Sequence, residues 1–193
     1  MVPMLNMTRA RKQLFMLTLT LIIGLLVRQL HLLNHAKQAS QTAQPGLYAI
    51  DHFIDGDTIA VNMNGSVQSV RFIGVDTPET HRPNTPVQCY GPQAAAFTKQ
   101  LIGKNRVRLE ADSQSDSKDK YGRLVRYVYL EDGRNVDELL VQNGYGFAYL
   151  YYPFSLSSRF AADQASAQAA HRGLWGACHP YQESNSRWQT EPE

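Results

Sequence analysis

After residue 46, apolar residues alternate with polar ones in five short stretches that are rich in β-branched and aromatic side chains. Such alternation is typical of strands that bury one face. Between the second and third stretches, Asn64-Gly65 predicts a tight hairpin turn, because both residues tolerate the left-handed backbone that such turns require. The predicted strands are 47–50 continued by 53–54, 58–63, 67–75, 107–111 and 124–130.

Three segments have the composition and the end signals of helices. Pro92 suits the first turn of one, where no backbone donor is needed, and the side chain of Asn135 can cap another. The predicted helices are 92–102, 135–142 and 157–173. The aromatic run 145–154 has no helical period and predicts an ordered loop or a short extended piece. Five strands with a helix after the third predict an α+β fold, a five-stranded OB-fold β-barrel with three helices packed on it.

The chain begins with a pattern typical of export. A basic patch at 9–12 precedes the uncharged, mostly apolar residues 14–27. This indicates a signal peptide over residues 1–33 or, with Arg28 reaching the membrane interface, an uncleaved membrane anchor. A buried core helix is the alternative. Either export interpretation places the rest of the chain outside the cytoplasm, secreted or anchored to the membrane facing outside.

The rest of the chain divides by composition. Residues 34–45 are polar, small and aperiodic, and they predict a linker. We expect one folded domain over 46–178 and a flexible tail over 179–193.

The charge of the chain limits how it could recognise nucleic acid. The formal net charge is +2, but five of the 19 basic residues lie within 1–45, which has no acidic residue. The remainder therefore carries 14 basic against 17 acidic residues. A protein that binds nucleic acid by bulk charge would be basic. Any phosphate recognition must be local.

Residues 55–80 carry four carboxylates and one arginine among alternating apolar residues. Asp55-Gly56-Asp57-Thr58 can place two acids about a tight turn, because glycine tolerates backbone angles that other residues resist. Asp76-Thr77-Pro78-Glu79-Thr80 does the same after the next strand. The first turn alone would be an ordinary hairpin or Asx turn. The second acidic turn favours convergence of both on one site for a hard cation and phosphate.

Three motifs carry a resemblance to a known family. In this order and spacing, residues 55–58 (DGDT), 71–80 (RFIGVDTPET) and 119–123 (DKYGR) resemble the staphylococcal (micrococcal) nuclease family, also called thermonucleases. The similarity runs over about 46–175. The motifs are specific in combination, although DGDT alone would be weak. The resemblance implies the barrel predicted above and a calcium-dependent phosphodiesterase that acts on DNA and RNA.

The resemblance assigns Ca²⁺ to Asp57, Asp76 and the backbone carbonyl of Thr77. Asp55 is then close by, just outside this set or bound to the cation through water. A cluster that supplies only oxygen, with no cysteine or histidine near it, suits a hard cation. Flexible loops with few carboxylates favour calcium over magnesium.

The resemblance assigns catalysis to Arg71, Glu79 and Arg123. Glu79 lies three residues beyond Asp76, and it is the candidate to orient and deprotonate the attacking water. Each guanidinium can donate paired hydrogen bonds to phosphoryl oxygens, a geometry that lysine cannot reproduce. Without the surrounding motifs, either arginine would be a solvated strand residue or part of a surface ion pair.

Four further residues are candidates for substrate binding. Lys120 and Tyr121 can contact a terminal phosphate and a sugar or base. Tyr149 and Tyr151 could present ring faces for base stacking, which tolerates any sequence, and family members use tyrosines at these places. Packing in the core or a loop is the alternative for such an aromatic run. Contacts of this kind imply weak sequence preference, single strands cut more readily than duplex and, by family analogy, products ending in a 3′-phosphate.

The chain has two cysteines, Cys89 and Cys178. In an exported chain, an even count predicts one disulfide, which would tie the C-terminal end back to the active-site side. Two free buried thiols are the alternative.

The sequence thus predicts a secreted or membrane-anchored, calcium-dependent nuclease of DNA and RNA, a monomer for which no protein partner is inferred. A non-catalytic OB-fold module that binds nucleic acid or protein is the alternative. Such a module has no need for Asp57, Arg71, Asp76, Glu79 and Arg123 together. An extracellular calcium-binding structural domain would need the acids but not the arginines.

Overall fold

The structure is a computed structural model that describes residues 9–42, 46–81 and 85–193. Within the first of these ranges, side chains are described at positions 13 and 15–30. The contacts between residues divide the chain into two units, Met1–Thr42 and Ala43–Glu193.

The described part of the first unit is one long helix, α1 (Arg9–Thr42). The irregular linker expected over 34–45 is therefore helical as far as Thr42, because neither proline nor glycine interrupts the chain between 34 and 42. Residues 43–45 lie outside the described part. The side chains of 15–30 are exposed. Among the described residues, no helix combines the length and the apolar content that a membrane crossing requires. The signal peptide or anchor stays a prediction.

The second unit contains the predicted strands and helices. Its strands are β1 (Leu47–Asp55), β2 (Thr58–Met63), β3 (Ser66–Phe72), β4 (Val75–Asp76), β5 (Arg106–Glu110), β6 (Leu124–Leu130), β7 (Phe147–Ala148), β8 (Tyr181–Gln182) and β9 (Trp188–Gln189). Its helices are α2 (Gly91–Ile102), α3 (Val136–Gln142), α4 (Ser157–Ala169) and the short α5 (Leu174–Ala177). The third predicted strand is divided at Gly74, whose φ of 71° turns the chain between β3 and β4.

Five strands close into a barrel in the order β1-β2-β3-β6-β5, and β5 pairs back onto β1. All neighbours run antiparallel except β3 and β6, which are parallel. The turn between β2 and β3 has positive φ at Asn64 (54°) and Gly65 (88°), as these residue types predict. The α+β class with a five-stranded OB-fold barrel is confirmed, and α5 is added to the three helices predicted.

Apolar residues at alternate strand positions fill the barrel, as the period of two along a strand requires. The following strand residues are 2% exposed or less: Ile59, Val61, Val70, Phe72, Val107, Leu109 and Val128. Val136 and Leu140 of α3 and Phe160 of α4 are fully buried in the same cluster. The core therefore lies inside the barrel and under the two helices that cover it.

Polar groups at its N-terminus fix α3 to the barrel. Asn135 caps the helix as predicted, and its side-chain oxygen accepts from the backbone N–H of Glu138 at 3.1 Å. The carboxyl of the fully buried Asp137 accepts from the backbone N–H of Ile73 and, through its other oxygen, from that of Val128, both at 2.8 Å. Burial raises the pKa of Asp137 well above its usual value, although both donors and the charge of Arg71 favour the ionised form.

The flexible tail predicted for 179–193 is wrong, because the structure folds these residues into a hairpin of β8 and β9. Trp188 of this hairpin packs on a small second core formed by Phe147, Leu174 and Cys178, together with Trp175. The rings of Trp188 and Phe147 stack with centroids 6.1 Å apart. The mostly polar sequence of 179–193 gave no indication that Trp188 would pack on a core.

The last residues of the chain are also bound through their backbone and by a disulfide. The predicted bond between Cys89 and Cys178 is confirmed. The N–H of Cys89 donates to the carbonyl of Glu191 at 2.8 Å, and the hydroxyl of Thr190 donates to the carbonyl of Cys89 at 2.8 Å. The N–H of Glu193 donates to the carbonyl of Val87 at 2.9 Å. The end of the chain therefore lies alongside the segment that precedes α2.

Replacement of Asp137 should destabilise the barrel. Asp137→Ala removes the acceptor of the buried Val128 N–H and leaves the Ile73 N–H with only a longer bond to the carbonyl of Arg126, at 3.1 Å. We expect the free energy of unfolding, measured in urea, to fall by roughly 2–4 kcal/mol. Asp132→Ala is the control, because Asp132 is exposed and pairs with Arg134, two residues away, and it should leave the urea midpoint unchanged. Equal midpoints for both variants would contradict this role.

The disulfide should stabilise the second unit by restricting the unfolded chain. Because it joins residues 89 positions apart, its removal in Cys89→Ser/Cys178→Ser should lower the free energy of unfolding by about 2–4 kcal/mol. Thermal unfolding of the parent with and without a thiol reductant gives the matched measurement. Reductant should lower the parent's melting temperature and leave that of the double variant unchanged. If reductant left the melting temperature of the parent unchanged, the disulfide would not contribute to stability as proposed.

Candidate functional site

The two acidic turns meet at one end of the barrel. Asp57 follows β1 and Asp76 ends β4, and the two residues are 5% and 8% exposed. Oδ2 of Asp57 accepts from the backbone N–H of Thr77 at 2.8 Å and from its hydroxyl at 3.1 Å. The first turn is thus hydrogen-bonded directly to the second, which brings Asp57 beside Thr77, the residue that follows Asp76.

Gly56 makes this close approach possible. A Cβ atom at this position would lie 2.7 Å from Oγ1 and 2.9 Å from Cγ2 of Thr77. Any side chain would therefore push the second turn away from Asp57. The glycine of the first motif is needed for the contact between the turns.

Arg71 lies between the two buried carboxylates. One terminal nitrogen, Nη1, contacts Asp57, and the other, Nη2, donates to Oδ1 of Asp76 at 2.8 Å. The register of β2 on β3 pairs Thr58 with Arg71, which brings the guanidinium to the first turn. Burial lowers the pKa of Arg71, and the charge of Asp76 opposes that shift. One guanidinium therefore supplies the countercharge for both acids.

Asp55 and Glu79 form a second carboxyl pair. Oδ1 of Asp55 accepts from the hydroxyl of Thr80 and from the N–H of Gly56, each at 2.8 Å. Burial raises the pKa of Asp55, and Glu79 adds to this through a hydrogen bond and through its charge, while Thr80 opposes it. The structure thus places Asp55 against Glu79.

The backbone around Glu79 is held by Gln88. The Glu79 N–H donates to Oε1 of Gln88 at 2.7 Å, and the Gln88 N–H donates to the Glu79 carbonyl at 2.9 Å. Oε1 of Glu79 accepts from the backbone N–H of His81 at 3.2 Å. The turn that carries the candidate base is therefore fixed by the segment before α2.

Arg123 reaches the same end of the barrel from the start of β6. The parallel pairing of β3 with β6 places Val125 opposite Arg71. Asp119 accepts from Nε of Arg123 at 2.6 Å and from its backbone N–H at 3.0 Å. Nη1 of Arg123 lies 3.5 Å from the hydroxyl of Thr58. Asp119 thus orients the second guanidinium toward the first acidic turn, a role that sequence reasoning missed although its residue is part of the DKYGR motif.

The candidate substrate residues lie on the exposed side of this site. Tyr121 is 72% exposed, and its ring lies 5.0 Å from Nζ of Lys120 and 5.3 Å from the Arg123 guanidinium carbon. The rings of Tyr149 and Tyr151 are 6.2 Å apart and inclined by 27°. Burial raises the pKa of Tyr149, and the charge of Asp76 raises it further. Tyr149 therefore lies near Asp76, whereas Tyr151 is exposed.

A third guanidinium in the site was not expected. Arg187, which immediately precedes the second strand of the C-terminal hairpin, donates to Oδ2 of Asp76 from Nε at 2.9 Å and from Nη2 at 2.8 Å. It is 111 residues from its partner in the chain. No motif surrounds it, and no signal in the sequence could have found it.

The donor set fits a hard cation. Asp57, Asp76 and the Thr77 carbonyl supply only oxygen, and two carboxylates with one carbonyl leave coordination positions for water and substrate, as calcium and magnesium sites allow. Elsewhere among the described residues, Cys89, Cys178 and Glu191 offer atoms within 4.8 Å of one another. The disulfide occupies both of those sulfurs, so that group is not a competing metal site.

Comparison with known proteins assigns the chain to a family. The family model described as staphylococcal nuclease homologue matches residues 69–177. Thermonuclease of Staphylococcus hyicus is 44% identical over 130 residues, which are 66% of this chain and 75% of that protein. Thermonuclease of Staphylococcus intermedius is 42% identical over 138 residues, which are 72% of this chain and 80% of that protein.

A longer relative matches over a similar share of the chain. The SPbeta prophage-derived endonuclease YokF of Bacillus subtilis (strain 168) is 41% identical over 128 residues, which are 65% of this chain and 43% of that protein. The chain therefore spans less than half of YokF. The family model covers more than half of the chain, and the two thermonucleases match over three quarters of their own length or more. The chain belongs to the family of staphylococcal nuclease homologues.

Proposed function

We propose that the second unit is a calcium-dependent nuclease that hydrolyses phosphodiester bonds of DNA and RNA. One observation carries the proposal: two buried carboxylates and two guanidiniums, those of Arg71 and Arg123, converge on one end of the barrel. The names of the relatives, thermonuclease and endonuclease, support the same reaction. A module that only bound nucleic acid would have no use for this combination.

Asp57, Asp76 and the Thr77 carbonyl would hold the cation. When bound, it would polarise a phosphoryl oxygen and offset the charge that develops there. Thr77 contributes in a second way, because its N–H and hydroxyl both donate to Oδ2 of Asp57 and hold that carboxylate in place.

The two arginines would bind the phosphoryl oxygens. A guanidinium has five N–H donors, and Asp119 accepts from Nε of Arg123. The terminal nitrogens of Arg123 are thus directed toward the acidic turn, where the phosphate would lie. Arg71 contacts each acid through a different terminal nitrogen and has further N–H groups for a phosphate. Charge-assisted pairs of this kind stabilise the negative charge of the transition state.

Glu79 would accept the proton of the attacking water. Its backbone is fixed by Gln88 through two hydrogen bonds, and its side chain lies against Asp55 and the N–H of His81. Asp55 is in turn held by Thr80. These contacts would keep the carboxylate of Glu79 on the cation side of the turn, within reach of a water beside the phosphate.

The candidate substrate residues beside the site suggest how the substrate would lie. Lys120 and Tyr121 would contact a terminal phosphate and a sugar or base, and Tyr149 and Tyr151 would stack on bases. None of these contacts reads a base edge. We therefore expect little sequence or sugar specificity, a preference for single strands and 3′-phosphate products.

We further propose that the chain acts outside the cytoplasm as a monomer, either secreted or anchored through its N-terminal segment. The disulfide between Cys89 and Cys178 supports this location, since such bonds persist in oxidising compartments. The exposed apolar side chains of 15–30 in α1 support a role of that helix in export or anchoring.

Removal of the proposed base or of the second guanidinium should abolish most of the cleavage. We expect Glu79→Gln to lower the initial rate on single-stranded DNA in calcium by roughly 10²- to 10⁴-fold, and Arg123→Ala to lower it by roughly 10²- to 10³-fold. Arg134→Ala is the control, because Arg134 is exposed and pairs with the nearby Asp132, and it should cleave like the parent. A calcium chelator should stop cleavage by the parent.

Two outcomes would count against the proposal. Undiminished cleavage by both Glu79→Gln and Arg123→Ala would remove the assigned mechanism. A parent that binds single-stranded DNA but does not cleave it with any divalent cation would favour a binding module.

A further inference from the structure

The C-terminal hairpin delivers a charged side chain into the proposed cation site. Arg187 precedes Trp188, and its guanidinium donates twice to Oδ2 of Asp76, at 2.9 and 2.8 Å. Its side chain is 27% exposed and that of Asp76 is 11% exposed. This ion pair is therefore largely shielded from water. An attraction between charges is stronger in such a shielded place than at an open surface.

These contacts use the oxygen that a cation would need. A carboxylate oxygen has two lone-pair directions. Oδ2 of Asp76 accepts from both Nε and Nη2 of Arg187. The other oxygen, Oδ1, already accepts from Arg71. A cation that coordinates Oδ2 must displace Arg187, because a guanidinium and a divalent cation repel each other at the same oxygen.

The hairpin keeps Arg187 near this position. The turn that precedes it is closed by backbone hydrogen bonds of 2.8 Å from Glu183 to the Arg187 carbonyl and from Ser186 to the Glu183 carbonyl. Trp188 lies in the second core, and the disulfide holds the start of the segment. A tethered group acts at a high effective concentration. Arg187 is therefore held close to Asp76 by the fold of the hairpin.

The guanidinium of Arg187 also has a second possible partner, the ring of Tyr149. Its guanidinium carbon lies 5.9 Å from the centre of the Tyr149 ring, and the face of an aromatic ring attracts a cation. The side chain could shift from Asp76 toward this ring while the hairpin stays anchored through Trp188. Exchange of a cation for Arg187 thus needs only a change of side-chain rotamer.

We propose that Arg187 is a tethered competitor of the divalent cation for Asp76, so that the C-terminal hairpin sets the cation affinity of the site. This inference rests on the proposed function, because it requires a cation at Asp57 and Asp76. It adds a positioning residue from outside the region that matches the family model, which ends at residue 177.

The direct test is calcium binding, which needs no catalysis. Calcium is titrated calorimetrically into the full-length parent and into Arg187→Ala, Arg187→Lys and Arg134→Ala. We expect Arg187→Ala to bind calcium roughly 3- to 30-fold more tightly than the parent, since a partly buried charged competitor is lost. Arg187→Lys keeps the charge and should change the affinity less. Arg134→Ala removes an exposed arginine that pairs with Asp132 and should match the parent.

A second readout follows Arg187 itself. In protein labelled with ¹⁵N-arginine, the Nε–H resonance that disappears in Arg187→Ala should shift on addition of calcium, with the same half-saturation as the calorimetric curve. Arg187→Met, which keeps a long side chain that can pack on Tyr149, serves if Arg187→Ala does not unfold cooperatively. It should show the same gain in affinity.

Four results would overturn the inference. Equal calcium affinities of the parent and of both uncharged variants would remove Arg187 as a competitor while leaving the proposed cation site intact. Weaker binding by these variants, or an unshifted Nε–H resonance at saturating calcium, would have the same meaning. Absence of calcium binding by the parent and by every variant would remove the proposed cation site together with the inference.

Discussion

The placement of one guanidinium between two buried carboxylates is the interaction on which the site depends. Asp57 and Asp76 are both nearly inaccessible to water, and two such charges would repel each other without a partner. Arg71 contacts both, and Thr77 binds the first acid to the second turn. The same arrangement keeps hard oxygen donors close together without a cation. Folding of the chain therefore brings the oxygen donors of the site together, and no cation is needed for this.

The barrel provides the distances that this arrangement needs. The hairpin of β2 and β3 sets Arg71 beside the first turn through its register, and the parallel contact of β3 with β6 brings in Arg123. The buried carboxyl of Asp137 secures the same region from the other side, because its two acceptors hold Ile73, just after β3, and Val128 in β6. Structure and site are thus stabilised by shared residues.

The alternation of apolar residues was enough to predict the five barrel strands, and the motifs were enough to choose the residues around the acidic turns. Local signals such as Asn64-Gly65 and Asn135 act on neighbouring backbone atoms, so that sequence alone reveals them. The hairpin and Arg187 were missed for a physical reason. Their order comes from contacts with residues far away in the chain, such as Cys89 and Asp76, and nothing in the polar sequence of 179–193 indicates those partners.

The two acidic turns and the C-terminal hairpin together determine how the molecule can be dissected. A fragment cut to the limits of the family match, 69–177, would begin inside β3 and lose Asp57 with the first turn. At its other end it would lose Cys178, and with it the disulfide, as well as Gln189, whose amide oxygen accepts from the side chain of Gln88 at 3.0 Å. Gln88 in turn holds the backbone of Glu79. A fragment that keeps both acidic turns, the disulfide and the support of Glu79 must therefore extend, at both ends, beyond the segment that matches the family model.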